Sequence, residues 1–290
     1  MPTFRRAGQI GQSIQSLLNG DLGDFELIVT DDGASEDGTA AAVAGAAKGD
    51  SRVRYYRNSS KLGMPGNLNA GIAMARGEFV AVCHDHDLYD QCFLSTMVGT
   101  LRRHPSAQFV HCALEMIDQA GRPSEQYIGP WPELSLGREW LDHMLMSFTC
   151  SVCALSVVRR STYEAYGTYR PDHGFISDVE MWMRLSLHGD VCYVPTPLIR
   201  VREREDAHPE RNRGLIHLMQ LAKIHRTYAR LTYSGPRLIW QRVIMELRLV
   251  REILIGSASV VVRRIRRFIR IKKTSQWPNA CPGGDGEGLS

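Results

Sequence analysis

The first 110 residues alternate short apolar segments with amphipathic ones, and this alternation constrains the chain more than any other feature. Ala7 to Leu18 sets Ile10, Ile14, Leu17 and Leu18 on one helical face. Phe25 to Thr30 reads as a strand that ends in the turn Asp31-Asp32-Gly33. Glu36 to Ala47 is Ala-rich and helical, Val53 to Arg57 is a strand, and Pro65 to Ala75 is a short helix. Phe79 to Cys83 is a continuous apolar run, as a strand covered on both faces requires. Asp90 to Arg103 is helical, and Gln108 to Cys112 is a strand. The alternation predicts an α/β fold, a Rossmann-like, mostly parallel sheet with helices on both faces. Ligands of such sheets bind outside the carboxyl ends of the strands. Two acidic clusters fall at those ends: Asp31-Asp32, and Asp85 with Asp87 in the stretch CHDHDLYD.

Beyond residue 112 the pattern loosens. Phe148 to Val158 reads as a long strand or strand pair, Asp178 to His188 as a helix, Val191 to Val194 as a short strand, and residues 209 to 273 as helical. The expected division is a nucleotide-sugar-binding part over 1–110, an acceptor-binding part over 111–205, a helical basic tail over 206–273 and a disordered, Gly/Pro-rich end over 274–290. Between Pro236 and Lys273 stand eleven Lys/Arg and two Asp/Glu, a net +9; the chain's +4 therefore leaves −5 for the rest. A basic tail on a mildly acidic body points to an anionic surface met by the tail, not to a nucleic-acid-binding body. Seven scattered cysteines, an odd number, fit a reducing, cytoplasmic setting better than a disulfide framework. No run of 18 apolar residues predicts a membrane-spanning helix.

Each cluster has a plain and a chemical reading. DDGASEDGT follows a strand and opens a helix, so Ser35 or Asp37 can serve as its cap. In CHDHDLYD, two carboxylates one residue apart suit a hard divalent cation that completes its shell with phosphate oxygens. Imidazole suits Mn²⁺ or Zn²⁺, so His84 or His86 can join. The plain alternative is a solvated polar loop. Cys150 and Cys153 form a lone pair with no zinc partner spacing and are expected to be buried thiols. His208 is expected in a loop.

Five segments in order resemble family 2 glycosyltransferases of the GT-A fold. PTFRR at Pro2 is similar to that family's P-T-Y-N-R loop, and DDGASEDGT to its D-D-G-S-T-D-G-T. Asn58 to Asn69, followed by ARGEFV, is similar to N-x-x-N-x-G-x-x-x-N-x-N and A-x-G-E-Y-I. CHDHDLYDQCFL is similar to L-H-D-D-D-x-Y-x-P-x-x-L. Ser177 to Tyr193 is similar to S-D-x-E-L-W-L-R-L-x-x-x-G-D-V-x-Y. The resemblance covers residues 1 to 205. It implies an inverting transfer of a sugar from a nucleotide-diphosphate sugar to a hydroxyl on a glycan, lipid-linked or other acceptor, in cell-surface polysaccharide synthesis. It places Thr3, Phe4, Asp31 and Asp32 in the nucleotide pocket, with Asn69 and Asp85 also on the donor. It places Mn²⁺ or Mg²⁺ on Asp85 and Asp87, with His86 an added ligand, and makes Asp178 the general base. Without the resemblance, Asp178 at a helix start reads as a cap or dipole partner, and Arg184 as either a surface charge or a diphosphate contact.

The chain departs from the family pattern at three places. His86 stands where many members carry Asp, and Lys61 where Asn is common. The apolar strand that usually precedes the PTFRR loop is not seen, so Met1 is expected to be an internal residue of a longer protein. Two other readings stay open. His84-x-His86 at a strand end is similar to the first metal motif of amidohydrolase barrels, though the second half does not supply eight βα units. A truncated or degenerate, non-catalytic transferase is the other. In the tail, Val261, Val262, Ile265, Phe268 and Ile269 form an apolar stripe among seven Lys/Arg, a pattern that lies peripherally on the inner face of a membrane.

Overall fold

The computed structural model describes residues 1–33, 37–147, 152, 156–203 and 214–255. In chain order these form β1 (Pro2–Thr3), α1 (Ile10–Leu18), β2 (Leu27–Asp31), α2 (Thr39–Ala47), β3 (Val53–Arg57), α3 (Gly63–Met74), β4 (Phe79–Ala81), β5 (Leu88–Tyr89), α4 (Phe93–Arg103) and β6 (Ala107–Ile117). They continue with β7 (Pro123–Tyr127), β8 (Leu134–Ser135), α5 (Gly137–Ser147), β9 (Ser156–Arg159), α6 (Arg160–Tyr166), a 3-10 turn (Pro171–Ile176), α7 (Ser177–Ser186), β10 (Asp190–Arg202), α8 (Gly214–Thr232) and α9 (Gly235–Ile255).

Two sheets carry the fold. The first is parallel throughout, in the order β1-β2-β3. The second runs β4-β9-β6-β10-β5, with β7 paired to β6 and β8 to β10. The α/β class expected from the alternation is present, but pairing in the second sheet is mixed. Only β6 and β10 run parallel there, and β4, β5, β7, β8 and β9 pair antiparallel. The physical reason is β9, which enters between β4 and β6 and runs against both. The described residues form open sheets, not a closed barrel of eight parallel strands, which removes the amidohydrolase alternative.

Alternation along the strands divides the interior between the two faces. Val110 of β6 and Val157 of β9 belong to a core with Ile10, Ile14, Val29, Phe93, Met97 and Leu101, under α1, α2 and α4. Their neighbours Phe109 and Val158 point the other way, to a core with Leu68, Trp140, Met144, Met181, Trp182, Ile224 and Tyr228, under α3, α5, α7 and α8. Period-two side-chain direction in an extended chain requires this division. Gly137 starts α5 so close to the turn after α7 that a Cβ there would overlap the carbonyl oxygens of Ser186 and Gly189. The start of α2 is held by Asp37, whose Oδ1 accepts the Thr39 amide at 3.0 Å. The other expected cap, Ser35, lies outside the described residues, as do Cys150, Cys153, His208 and the basic stripe from Val261 to Lys273. The expected single helical stretch from residue 209 is two helices, broken at Tyr233 and Ser234.

Candidate active site

The first expected acidic cluster lies at the carboxyl end of β2. Asp31 is fully buried; its Oδ1 accepts the Gly33 amide at 2.8 Å and its Oδ2 the Tyr55 hydroxyl at 2.6 Å. Asp32 reaches the loop ahead of α3. Its Oδ1 accepts the Leu62 amide at 2.7 Å and Asn58 Nδ2 at 3.0 Å, and its Oδ2 accepts the Gly63 amide at 2.9 Å. A carboxylate on the first amides of a helix is favoured by both hydrogen bonding and the helix dipole. Asp31 and Asp32 therefore shape this end of β2 through internal bonds. Phe4, half-buried, lies between two cations, with the Arg5 guanidinium 5.2 Å and the Lys61 ammonium 4.9 Å from its ring centre. Arg5 has a left-handed φ of 55°, uncommon for a residue with a side chain.

The two asparagines of the N-x-N segment have separate tasks. Asn67 is buried and ties three elements: its Nδ2 donates to the carbonyls of Thr30, at 2.9 Å, and Thr3, at 3.3 Å, and its Oδ1 accepts from Asn58 at 2.9 Å. Asn69, expected on the donor, makes its side-chain bonds to the backbone of Tyr169. Its Nδ2 donates to the Tyr169 carbonyl at 2.7 Å and its Oδ1 accepts the Tyr169 amide at 3.0 Å. With both ends of its amide engaged by the backbone of one residue, Asn69 staples α3 to the segment ahead of the 3-10 turn.

CHDHDLYD occupies the loop from β4 to β5. Asp87 is fully buried; its Oδ1 accepts the Arg202 amide at 3.0 Å and its Oδ2 lies 3.2 Å from His84 Nδ1. Burial pushes this carboxyl up, but the hydrogen bond from His84 and the charges of His86 and His84 outweigh it, so it lies below the ordinary carboxylate range. The rings of His84 and His86 stack with centres 5.6 Å apart. One ligand atom each from His84, His86 and Asp87 lie within 4.8 Å of one another. Asp85, expected on the cation and the donor, pairs through its Oδ1 with His86 Nδ1 at 2.9 Å and is not one of that trio. Burial raises the Asp85 carboxyl; His86, the buried Thr3 hydroxyl and the nearby Arg6 more than offset this and hold it low.

Arg202, at the end of β10, locks the loop in place. Besides its amide on Asp87, its Nε donates to the His86 carbonyl at 3.2 Å, and its guanidinium also reaches the Gln119 carbonyl at 2.9 Å and Gln12 Oε1 at 3.0 Å. The only signal for it in the sequence was a charged run, Arg200 to Asp206, that follows a strand. Arg184 is likewise not a surface charge. It is buried, with Nε 3.1 Å from Glu180 Oε1 and guanidinium bonds to the carbonyls of Tyr166, Gly167 and Thr168. It holds the chain before the 3-10 turn and has no contact with the residues expected on the donor among the bonds it makes.

Asp178 sits in the first turn of α7 and accepts the Val179 amide at 2.8 Å. The residue keeps a partly open edge, yet the carboxyl is surrounded closely enough that burial pushes its pKa up to about 6, against the lowering effects of the Val179 amide and the charge of His84. The charge of His84 reaches Asp178, and Tyr169 senses the Asp178 charge as well. A carboxyl with a raised pKa therefore lies within electrostatic reach of one member of the His/His/Asp trio.

Comparison with known proteins decides the family. The model of "Glycosyl transferase family 2" matches residues 1–166. The chain belongs to this family. Among curated family relatives, a Campylobacter jejuni GalNAc(5)-diNAcBac-PP-undecaprenol beta-1,3-glucosyltransferase is 30% identical over 186 residues, or 64% of this chain and 58% of that protein. The chain thus spans less than two thirds of that relative's length. Among solved structures, Staphylococcus aureus TarS 1-349 in complex with UDP-GlcNAc matches with a TM-score of 0.66 and 16% identity, over 89% of this chain and 72% of that one. Mannosyltransferase PcManGT from Pyrobaculum calidifontis, in complex with GDP-Man and Mn²⁺, matches with a TM-score of 0.56 and 17% identity, over 92% and 78%. These two neighbours share the fold, and the GT-A architecture is that of this chain.

Proposed function

We propose that this protein transfers a glycosyl group from a nucleoside-diphosphate sugar to an acceptor hydroxyl, with inversion and with a divalent cation, in the synthesis of a surface glycan. The observation that carries this reading is that the Asp178 carboxyl, with a pKa raised to about 6, lies within electrostatic reach of His84, which stands with His86 and Asp87 in one cluster of possible cation ligands. The acceptor oxygen attacks the anomeric carbon as the bond from that carbon to the diphosphate oxygen breaks. The hydroxyl proton passes to the Asp178 carboxylate. A base whose pKa lies near the working pH is ionised often enough to accept the proton and basic enough to take it. One displacement at one carbon inverts its configuration.

The trio fits a cation on donor chemistry: two imidazoles and a carboxylate suit Mn²⁺ or a similar borderline ion better than Mg²⁺. The backbone amide of Arg202 orients the Asp87 carboxylate, as an outer partner of a ligating group does. A cation bound there supplies positive charge to the departing diphosphate. Asp31, Asp32 and Asn67 keep the β2 end and the 58–63 loop in shape for the nucleotide, and Phe4 offers it a ring face. The names of the relatives support UDP- or GDP-linked donors and a lipid-linked acceptor as the first to try.

The test is release of nucleoside diphosphate from a panel of UDP- and GDP-sugars, with Mn²⁺ titrated, for the wild type and His84→Ala. The proposal predicts Mn²⁺-dependent release and, in the variant, a half-saturating Mn²⁺ concentration raised on the order of tenfold or more. Release that ignores both chelator and the substitution contradicts the cation's part in it.

A further inference from the structure

The helix α9 has two apolar faces. One, with Met245 and Leu249, is buried against Ala222 and its neighbours on α8. The other bears Ile239, Trp240, Val243, Leu247 and Val250, each between 45% and 66% exposed. At 100° per residue these five fall in a stripe about 100° wide, on the side of the helix opposite Met245. A helix of a globular domain needs one apolar stripe, and a second, exposed one marks an interaction site.

Charge points to the occupant. On α9, Arg251 is exposed beside this stripe. The sequence directly after α9, residues 256–273, holds seven Lys/Arg and no Asp or Glu. An apolar stripe with a Trp, continued by a strongly cationic segment, has the chemistry of a helix seated in the interface of an anionic membrane. No helix among the described residues is long and apolar enough to cross a membrane.

The helical pair is also fixed to the catalytic body. Tyr228 donates to Glu180 at 2.6 Å, two residues from Asp178. Gln241 donates to the Leu145 carbonyl at 3.1 Å, and Tyr233 and Arg237 both hold Asp142 of α5. At the start of α8, the ring of His217 lies 6.3 Å from that of Phe175, in the turn that leads to Asp178. A surface held by α9 therefore stands in a fixed relation to the base.

We propose that the outer face of α9 docks this protein on an anionic phospholipid surface, with Ile239, Trp240 and Leu247 in the interface. The proposal extends the functional reading, since a membrane-held enzyme meets a lipid-linked acceptor in two dimensions, but its test does not depend on activity. The full chain is floated with vesicles of phosphatidylcholine alone and of phosphatidylcholine mixed with phosphatidylglycerol, beside the variant Ile239→Ser/Trp240→Ser/Leu247→Ser. The three side chains are exposed, so the variant is expected to keep the wild-type melting temperature. The wild type is expected to float with the anionic vesicles, less so at high salt, and the variant to bind about tenfold or more weakly. A variant that floats as well as the wild type overturns the proposal and assigns binding to residues after α9. A wild type that stays unbound overturns it too, and a dimer by light scattering that the variant reduces to monomer would give the face to a second copy of the chain.

Discussion

Asp178 illustrates how the surroundings of one carboxyl shift its proton affinity. Its folded pKa, about 6, lies above the value near 3.9 of an unfolded chain. The folded state therefore holds a proton more tightly than the unfolded one. Stability associated with this group is greatest below about pH 4 and is lost as pH rises toward 6, because the native state must then bury the ionised form. Asp178→Asn keeps the neutral shape. It is expected to melt higher than the wild type at pH 7, by the equivalent of about 2 kcal/mol, with the difference vanishing near pH 4. Thermal melts of both proteins across that range check this. A loss of activity in a variant that is more stable cannot be ascribed to misfolding. The neighbouring Asp87 behaves in the opposite way, since its two histidines and the Arg202 amide hold it ionised.

At the scale of elements, the buried Glu180–Arg184 pair of α7 shows why a family motif is not a list of substrate contacts. Arg184 satisfies three carbonyls ahead of the 3-10 turn, and Glu180 also binds Tyr228. Replacing Arg184 with Ala would leave the buried Glu180 with the half-exposed Arg170 and the Tyr228 hydroxyl as partners, and three carbonyls without that donor. A loss of about 3–5 kcal/mol in urea unfolding is expected, with donor affinity changed little in whatever protein remains folded. The sequence showed Arg184 as a charge on an amphipathic helix and could not show what the guanidinium meets. The same limit hid the different partners of Asn67 and Asn69, two residues apart in one motif, and the bond by which Asp85 is held to His86. Strands with clear periodicity were legible, as β3 was over Val53 to Arg57. The strand β10 was legible only over Val191 to Val194, because Pro195 and Pro197 interrupt its pattern while register shifts carry the pairing on to Arg202. The two-residue strands β5 and β8 are too short to have a period, and both exist through pairing with β10.

At the scale of the whole molecule, two cores lie on opposite faces of shared strands and hold the described parts together. The acidic segments at strand ends were legible early, whereas the direction of β9, and with it the mixed sheet, depends on contacts far apart in the chain. The central claim is that Asp178 takes the acceptor proton in a family 2 transfer. It is tested most directly by the pH dependence of nucleoside-diphosphate release from the best donor, with acceptor and Mn²⁺ present, in the wild type and Asp178→Asn. The account predicts a wild-type kcat/KM that rises through an apparent pKa near 6, and a variant slower by about 10²–10⁴-fold that lacks this acid limb. A variant that keeps the wild-type rate and the same acid limb would contradict it.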